Sequence, residues 1–305
     1  MALNIPFKTP FMGHVDSVVE LSFSKACEGR YSLAFVGQNG LVIVRDSRGE
    51  NVDSTINREG HQGAVYGVSM SANASIVATG SEDGTARIWS VTSAQELKKF
   101  RHVQMVSSVA LDTESKHMLT SSQERHSKIR LYDVNQSQEC LSIYRKSRRG
   151  VRNVIFCRDD RSFLASSYDR TVELWDVSSG QSSHKITLPH HAKSLELCAD
   201  GKTVTIAYGG SVVFFEAETF NILWHRKMPF KVVGASLHPQ KKSFVSADYD
   251  GFIYKYSYDT GELQLKFRAH LQSGAQYYHY QVQSRWRDVR QLLDRWPHHT
   301  LAAEI

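Results

Sequence analysis

The chain has 305 residues, 41% of them hydrophobic, and a mean hydropathy of −0.37, which is typical of a globular protein with a sizeable core. No apolar run approaches the roughly 18–20 residues of a membrane helix, and the start, MALNIPFKTPF, lacks the apolar stretch of a secretory signal, so we expect an intracellular protein without membrane insertion. A formal net charge of +6 and a pI near 9.0 mildly favour acidic or nucleic-acid-bound partners.

The predicted elements form a repeating unit that is most complete in residues 60–91. Gly60-His61 opens this unit, and the apolar stretch at 64–70 predicts a first strand. A Ser-Ala-Asn turn leads to a second strand at 76–80, and an Asp-Gly turn leads to a third at 85–89. Alternating apolar and polar residues, broken by turns roughly every 8–12 positions, indicate short antiparallel strands.

The same unit recurs along the chain at a nearly constant period. Its third strands end at six positions: Arg45, Trp89, Tyr132, Trp175, Phe215 and Tyr256. Successive ends are 44, 43, 43, 40 and 41 residues apart, which matches the ~40–45 residues of a four-stranded WD-repeat blade. The sequence therefore predicts an all-β fold, a WD-repeat β-propeller over residues 1–270 with six recognisable blades.

Blade two carries four polar or aromatic side chains at the places where a hydrogen-bonded tetrad can form, namely His61, Thr79, Asp83 and Trp89. Such a chain satisfies buried polar groups that would each cost ~1–3 kcal/mol if left unpaired. Blade four retains the aspartate and the tryptophan but enters through Gly150 without a histidine. We predict a structural role for the tetrad.

Several stretches resemble one particular family of WD-repeat proteins. The most specific are TVTIAYGGSVVFFEAETF at 203–220 and VGASLHPQKKSFVSADYDGFIYKYSYDTGELQLKFRAH at 233–270. Further matches are GHVDSVVELSFS at 13–24, LTSSQERHSKIRLYDV at 119–134 and ASSYDRTVELWD at 165–176. These stretches are similar to blades of the serine/threonine kinase receptor-associated protein family, and the resemblance implies that a seventh blade should follow the sixth.

The resemblance implies a non-catalytic protein-interaction scaffold without a cofactor. The family's roles lie in the SMN complex, which loads Sm rings onto spliceosomal small nuclear RNAs, and in transforming growth factor-β receptor signalling. The implied partners are SMN and Gemin subunits, receptor kinases and Smad-type proteins in cytoplasm and nucleus, with RNA contacted indirectly at most and no small-molecule substrate. An alternative is the propeller subunit of the translation initiation factor three complex, which shares the repeat plan but resembles blades five and six less closely.

The sequence contains no G-x-S-x-G elbow, P-loop, H-E-x-x-H motif or paired catalytic Cys and His, so we predict no enzyme activity. The pairs His190-His191 and His298-His299 suggest metal ligands, but adjacent residues of a strand point to opposite faces, and we expect loop histidines instead. Four scattered cysteines without a C-x-x-C pair predict neither a disulfide framework nor a zinc site: Cys27, Cys140, Cys157 and Cys198.

The densest basic run is RKSRRGVR, between the last strand of blade three and the first strand of blade four. Its charged residues form one candidate partner-binding loop: Arg145, Lys146, Arg148, Arg149 and Arg152. One interpretation is a contact for an acidic partner surface or for RNA phosphates. The other, which we favour, is a solvated loop, because charge runs usually are solvated and no aromatic residues alternate with these charges to stack on bases.

The last 35 residues, 271–305, do not continue the repeat. One interpretation is an amphipathic helix, because five apolar residues recur at helical spacing: Trp286, Val289, Leu292, Leu293 and Trp296. The other, which we favour, is a seventh blade translated out of frame. Arg285-Trp286 and Arg295-Trp296 lie ten residues apart, like the turns of a blade, and CGA-TGG read one nucleotide later encodes Asp-Gly. Residues 295–301 can likewise be encoded so that the shifted frame gives DGHITLW, which matches DGTARIW at 83–89.

Sequencing the transcript across the codon for Leu271 distinguishes these interpretations. We expect a single-nucleotide error or an unusual splice junction near this codon, beyond which the shifted frame encodes strands, Asp-Gly turns and a final tryptophan. An intact frame for this tail, with no blade in the shifted frame, would show that the frameshift interpretation is wrong.

Overall fold

The computed structural model describes residues 18–25, 32–46, 54–55, 60–124, 128–136, 139–145, 149–157, 159–198 and 200–268. Within them the regular elements are β-strands, which form six four-stranded antiparallel sheets. Each sheet is one blade, so the predicted all-β propeller with six recognisable blades is confirmed. The tail at 271–305, with its frameshifted-blade and helical alternatives, lies outside the described residues.

The four strands of each blade follow one another from the central channel to the rim. Blades one and two comprise β1 (Val18–Phe23), β2 (Ser32–Gly37), β3 (Val42–Asp46), β4 (Ser54–Thr55), β5 (Val65–Met70), β6 (Ile76–Ser81), β7 (Thr85–Ser90) and β8 (Glu96–Arg101). Blades three and four comprise β9 (Val106–Leu111), β10 (His117–Ser122), β11 (Lys128–Asp133), β12 (Cys140–Arg145), β13 (Val151–Phe156), β14 (Ser162–Ser167), β15 (Thr171–Asp176) and β16 (Ser182–Thr187). Blades five and six comprise β17 (Ala192–Leu197), β18 (Thr203–Tyr208), β19 (Ser211–Glu216), β20 (Ile222–Lys227), β21 (Val232–Leu237), β22 (Ser243–Asp248), β23 (Phe252–Ser257) and β24 (Leu263–Arg268).

The middle strands are buried on both faces, whereas the outermost strands are largely exposed. All six residues of β18 and of β22 are buried, but β20 and β24 each contain only exposed and half-buried residues. Because successive side chains of a strand point to opposite faces, a strand buried at every position is covered on both sides. The β-branched and aromatic residues of β18, TVTIAY, suit such a position.

The hydrophobic core lies between neighbouring blades. One apolar cluster joins Leu131 and Tyr144 of blade three to Phe163 and Trp175 of blade four, and the Phe163 and Trp175 rings stack with centroids 6.2 Å apart. Similar clusters join blades one and two, two and three, four and five, and five and six. Each blade therefore depends on its neighbours for burial of its apolar faces.

Blades one and six also have an apolar cluster drawn from a single blade. These buried residues are Leu21, Leu33, Phe35 and Ile43 in blade one, and Val233, Val245, Ala247 and Ile253 in blade six. Among the described residues, no strand of blade six packs against blade one as extensively as successive blades pack elsewhere. The family resemblance implies a seventh blade between these two flanks, which stays a prediction.

Every inner strand has a β-bulge directly after its first residue. In β13, Val151 pairs with Ser167 and Asn153 pairs with Ser166, so Arg152 is the extra residue. The other five inner strands have the same irregularity, with these extra residues: Val19, Tyr66, Ser107, Lys193 and Val233. A bulge turns the extra side chain away from its regular direction, so this repeated feature determines which residues meet at the start of the channel.

Gly67 marks the closest approach of two inner strands. A Cβ atom at this position would lie 2.8 Å from the Ser108 Cα atom and 2.9 Å from the Val109 amide nitrogen of the neighbouring blade. Both atoms belong to the backbone, which cannot move aside as a flexible side chain can. The glycine is therefore required by packing between β5 and β9.

We predict that Gly67→Ala lowers the free energy of unfolding by about 1–3 kcal/mol, because it overpacks the contact between blades two and three. Urea denaturation followed by circular dichroism measures the change. The matched control is Gly150→Ala, whose Cβ atom would lie 3.3 Å from the movable Gln123 Cγ atom, and whose effect should stay near 0.5 kcal/mol. Equal effects of the two substitutions would contradict the packing argument.

Candidate partner-binding site at the mouth of the central channel

The four tetrad side chains of blade two form one hydrogen-bonded chain. Trp89 Nε1 donates to Thr79 Oγ1 at 2.8 Å, and His61 Nε2 lies 2.8 Å from the same hydroxyl. His61 Nδ1 lies 2.9 Å from Asp83 Oδ2. These hydrogen bonds link the indole of the third strand, the hydroxyl of the second strand, the imidazole of His61 and the carboxylate of the tight turn.

The protonation states of the tetrad suit this arrangement. Burial lowers the pKa of His61, although the Asp83 carboxylate acts in the opposite direction. Burial acts to raise the pKa of Asp83, but hydrogen bonds from His61 and Thr85 outweigh it and lower the pKa. A neutral His61 that donates from Nδ1 and accepts at Nε2 from Thr79 satisfies both ring nitrogens. The His61 side chain is fully buried, so the His–Asp pair fixes the turn and is closed to a substrate.

Blades three and four lack parts of this hydrogen-bonded tetrad. Thr120 occupies the place of Thr79 in blade three, but among the described residues its buried hydroxyl has no hydrogen-bond partner. In blade four Ala165 occupies that place, and the buried Trp175 Nε1 has no acceptor within the described part of the chain. Burial between blades therefore maintains these two blades without a complete tetrad.

A cavity of about 270 Å³ opens at the end of the channel where the inner strands begin. Bulge residues of five successive blades line it: Val19, Tyr66, Ser107, Arg152 and Lys193. Tyr168, from the turn between β14 and β15, adds an aromatic wall. The bulges thus determine the chemistry of this opening, which we call the channel mouth.

Two cations and three rings meet at the channel mouth in what we call the mouth cluster: Arg152, Tyr168, His191, Lys193 and Tyr249. The Arg152 guanidinium carbon lies 5.7 Å from the centre of the Tyr168 ring, and Lys193 Nζ lies 6.0 Å from the centre of the Tyr249 ring. The Tyr168 and His191 rings have centroids 5.7 Å apart. The aromatic faces stabilise the two cations and restrict their positions.

Burial and neighbouring positive charges lower the pKa values of two residues of the mouth cluster. Burial and the nearby Arg152 charge lower the pKa of Lys193 to about 8. Burial also lowers the pKa of His191, and the charges of Lys193 and Arg152 act in the same direction. A nearby positive charge lowers the pKa of a basic side chain because it disfavours the protonated, positively charged form. The mouth cluster therefore brings two cations near each other, in a cavity that the carboxylates of Glu20 and Glu196 also line.

A hydrogen-bond donor, an acceptor and two carboxylates lie at the mouth cluster or next to it. Arg152 Nε and Asn153 Oδ1 are buried, and neither has a hydrogen-bond partner among the described residues. Glu20 and Glu196 also line the cavity. Glu20 Oε2 accepts the Val68 N–H at 2.9 Å, a contact that links blades one and two and stabilises the carboxylate.

The structure divides the basic run at 145–152. Arg145 ends the outer strand β12 and is exposed, as is Arg149, whereas Arg152 lies on the inner strand β13 and lines the channel. Lys146 and Arg148 lie outside the described residues. Arg145 and Arg152 therefore lie on strands of different blades, and partner binding by this basic run stays a prediction.

The sequence prediction omits Lys193, Tyr168 and Tyr249. Lys193 has the same place in β17 as Arg152 has in β13, directly after the first residue of the inner strand. Tyr168 and Tyr249 each precede an aspartate in the turn after the second strand. An alignment of the blades with one another would have revealed both correspondences.

The described residues include no group of three or more His, Cys, Asp or Glu side chains that could hold a metal ion. Cys140, Cys157 and Cys198 are free thiols. Burial raises the pKa of Cys157 to about 11, so this thiol stays protonated and is a poor nucleophile. No helix that could cross a membrane occurs in the described part of the chain.

We predict that Thr79→Val lowers the free energy of unfolding by about 1–3 kcal/mol for each group it leaves unsatisfied, the Trp89 N–H and His61 Nε2. The matched control is Thr120→Val at the same place in blade three. This isosteric change removes a hydroxyl without a described partner and should be neutral or stabilising. Urea denaturation of both variants measures the difference, and equal losses would show that the tetrad contributes no stability of its own.

Comparison with known proteins agrees with the fold and the repeat. The family "WD domain, G-beta repeat" matches residues 53–90 and 138–176. A chain in the crystal structure of the mitotic checkpoint complex has a TM-score of 0.71 at 17% identity, covering 83% of this chain and 80% of that one. At this identity the similarity shows the fold alone.

Two relatives with similar sequences bear on the family to which this chain belongs. The serine-threonine kinase receptor-associated protein of Gallus gallus is 30% identical over 258 residues, which cover 85% of this chain and 72% of the relative. Pre-mRNA-processing factor 17 of Homo sapiens is 34% identical over 86 residues, 28% of this chain and 15% of that factor. The repeats and the longer match support a protein-interaction scaffold, and this chain belongs to the serine-threonine kinase receptor-associated protein family.

Proposed function

We propose that this chain is a non-catalytic subunit of the SMN complex in spliceosomal ribonucleoprotein assembly and an adaptor in transforming growth factor-β receptor signalling. The observation that carries the proposal is the match to a receptor-associated protein over 258 residues, which exceeds the extent of any single repeat. The name of that relative supports the receptor role. Pre-mRNA-processing factor 17 supports the splicing role only through the 86 residues that it shares.

The arrangement of polar residues supports a non-catalytic role. His61 and Asp83 would resemble a catalytic pair, but both ring nitrogens of His61 are engaged and its side chain is fully buried. A general base must reach the group whose proton it takes. The propeller therefore offers its turns and channel mouth as contact surfaces on a rigid support.

The proposed partners are SMN and Gemin subunits, receptor kinases and Smad-type proteins, in cytoplasm and nucleus. RNA is contacted indirectly at most, through the proteins of the assembly, and no small molecule is a substrate. The alternative function is that of a subunit of the translation initiation factor three complex, which uses the same repeat plan. The two functions differ in the proteins that accompany the chain.

Affinity purification of the tagged full chain with mass spectrometry distinguishes these functions. We expect Sm and Gemin proteins to be enriched over a bait with an unrelated propeller. A Gly67→Ala bait, destabilised between blades two and three, should recover less of the same partners at equal expression. Enrichment of initiation-factor subunits in place of Sm and Gemin proteins would favour the alternative.

A further inference from the structure

We infer that the exposed edge of β24, the outer strand of blade six, binds an extended acidic segment of a protein partner, whose carboxylates contact Lys266 and Arg268. This edge lies on the outer rim of the propeller, away from the channel mouth. The inference rests on the proposed scaffold function, to which it adds a contact surface and a partner chemistry.

The first argument is the free backbone edge of β24. This strand is the last of its sheet, with β23 on one side, and no strand in the described part of the chain pairs with its other side. The backbone N–H and C=O groups on that side therefore have no ladder partner among the described residues. An extended segment of another protein can bind such an edge through main-chain hydrogen bonds, while its side chains provide the specificity.

The second argument is a pair of exposed cations on one face of this strand. Lys266 and Arg268 are two residues apart, so their side chains point to the same face. Lys266 Nζ lies 4.5 Å from the centre of the Phe252 ring, and the Arg268 guanidinium carbon lies 5.6 Å from the same centre. Neither cation forms an ion pair with a carboxylate in the described ranges. The ring restricts their positions, and their charge is available to an acid from outside.

Blade four shows what the equivalent position looks like when its charge is compensated. Lys185 and Lys266 are each the fourth residue of an outer strand, opposite the third residue of the neighbouring strand. In blade four that third residue is Glu173, whose Oε1 lies 3.0 Å from Lys185 Nζ. In blade six it is Tyr254, whose ring centre lies 5.3 Å from Lys266 Nζ and whose hydroxyl donates to the buried Asp248 carboxylate at 2.8 Å. Blade six thus has an aromatic ring where blade four has a counter-charge.

The third argument is selectivity among the strands that could add to this edge. Positive side chains on an edge strand disfavour pairing with another copy of the same strand, because like charges would then meet. Alternate residues of an extended segment lie roughly 6.6 Å apart on one face, which is also the spacing of Lys266 and Arg268 along β24. A segment with acidic residues at alternate positions therefore places one carboxylate near each cation.

The rings below the cations favour a peptide over nucleic acid. The Phe230 ring stacks on Tyr254 with centroids 4.1 Å apart, and Tyr254 and Tyr256 are only 8% and 4% exposed. Lys266 and Arg268 lie next to the Phe252 ring. Single-stranded nucleic acid is bound by open aromatic faces on which successive bases stack, and the aromatic faces at this edge are covered.

Fluorescence anisotropy with the full chain tests the inference. The probe is a fluorescein-labelled peptide of alternating Glu and Thr, and its neutral analogue carries Gln in place of Glu. We expect the acidic peptide to bind about tenfold more tightly than the analogue, because two cations recognise its charge. Equal binding of the two peptides, or no binding of the acidic one, would overturn the inference.

Variants locate the binding edge. Lys266→Gln and Arg268→Gln should each weaken binding of the acidic peptide by about threefold to fivefold, as expected for exposed charges. The matched control is Lys185→Gln, at the equivalent place in blade four, which should change binding by less than about twofold. A thermal melt of each variant shows that the fold is retained, as we expect for exposed side chains. An equal loss in the Lys185 variant would mean that the peptide does not recognise β24.

Hydrogen–deuterium exchange tests the addition of a strand. Amides of β24 that point away from β23 should exchange more slowly at saturating acidic peptide, since they gain hydrogen bonds. The outer strand β16 is the control and should exchange at the same rate with and without peptide. Unchanged exchange throughout β24 would contradict the inference.

Three further outcomes separate this inference from other functions. If an oligouridylate binds more tightly than the acidic peptide and depends on Lys266 and Arg268, the edge is a site for nucleic acid and the inference is wrong. If the acidic peptide fails to bind while the chain still recovers Sm and Gemin proteins, only the edge inference fails. If the peptide binds but initiation-factor subunits are recovered, the inference stands and the proposed function fails.

Discussion

Burial of each blade between its two neighbours is the constraint on which the rest of this propeller depends. The middle strands β18 and β22 are buried at every position, so both faces of their sheets are committed to packing. At roughly 25 cal/mol per Å² of apolar surface, these interfaces dominate the favourable energy of the fold. Side chains available for recognition are therefore confined to the turns, the outer strands and the inner edges.

The same constraint explains why the polar tetrad varies between blades. Blade two has an unbroken chain from Trp89 to Asp83, whereas Thr120 and Trp175 hold polar atoms without described partners. Each unsatisfied group costs ~1–3 kcal/mol, an amount that extensive packing between blades can offset. The tetrad therefore adds rigidity to one tight turn, and the fold does not depend on its presence in every blade.

The sequence predicts the architecture better than it predicts the candidate site. The period of the third strands and the strand pattern at 60–91 are local signals, and they identify the blades correctly. The mouth cluster is not local, since Lys193 of blade five and Tyr249 of blade six meet only because the blades are arranged around a channel. The basic run illustrates the same point: Arg145 and Arg152 are only seven positions apart in sequence, yet Arg145 ends the outer strand of blade three and Arg152 lies on the inner strand of blade four.

The bulge in each inner strand has a consequence for how such propellers diversify. Its extra residue is not paired with a residue of the neighbouring strand, so a substitution there leaves the strand register intact. In blades two to five these positions hold tyrosine, serine, arginine and lysine, four unlike side chains on equivalent backbones. Substitutions at a few such positions can change the side chains at the opening without changing the fold. Related propellers can therefore acquire new ligands much faster than new folds.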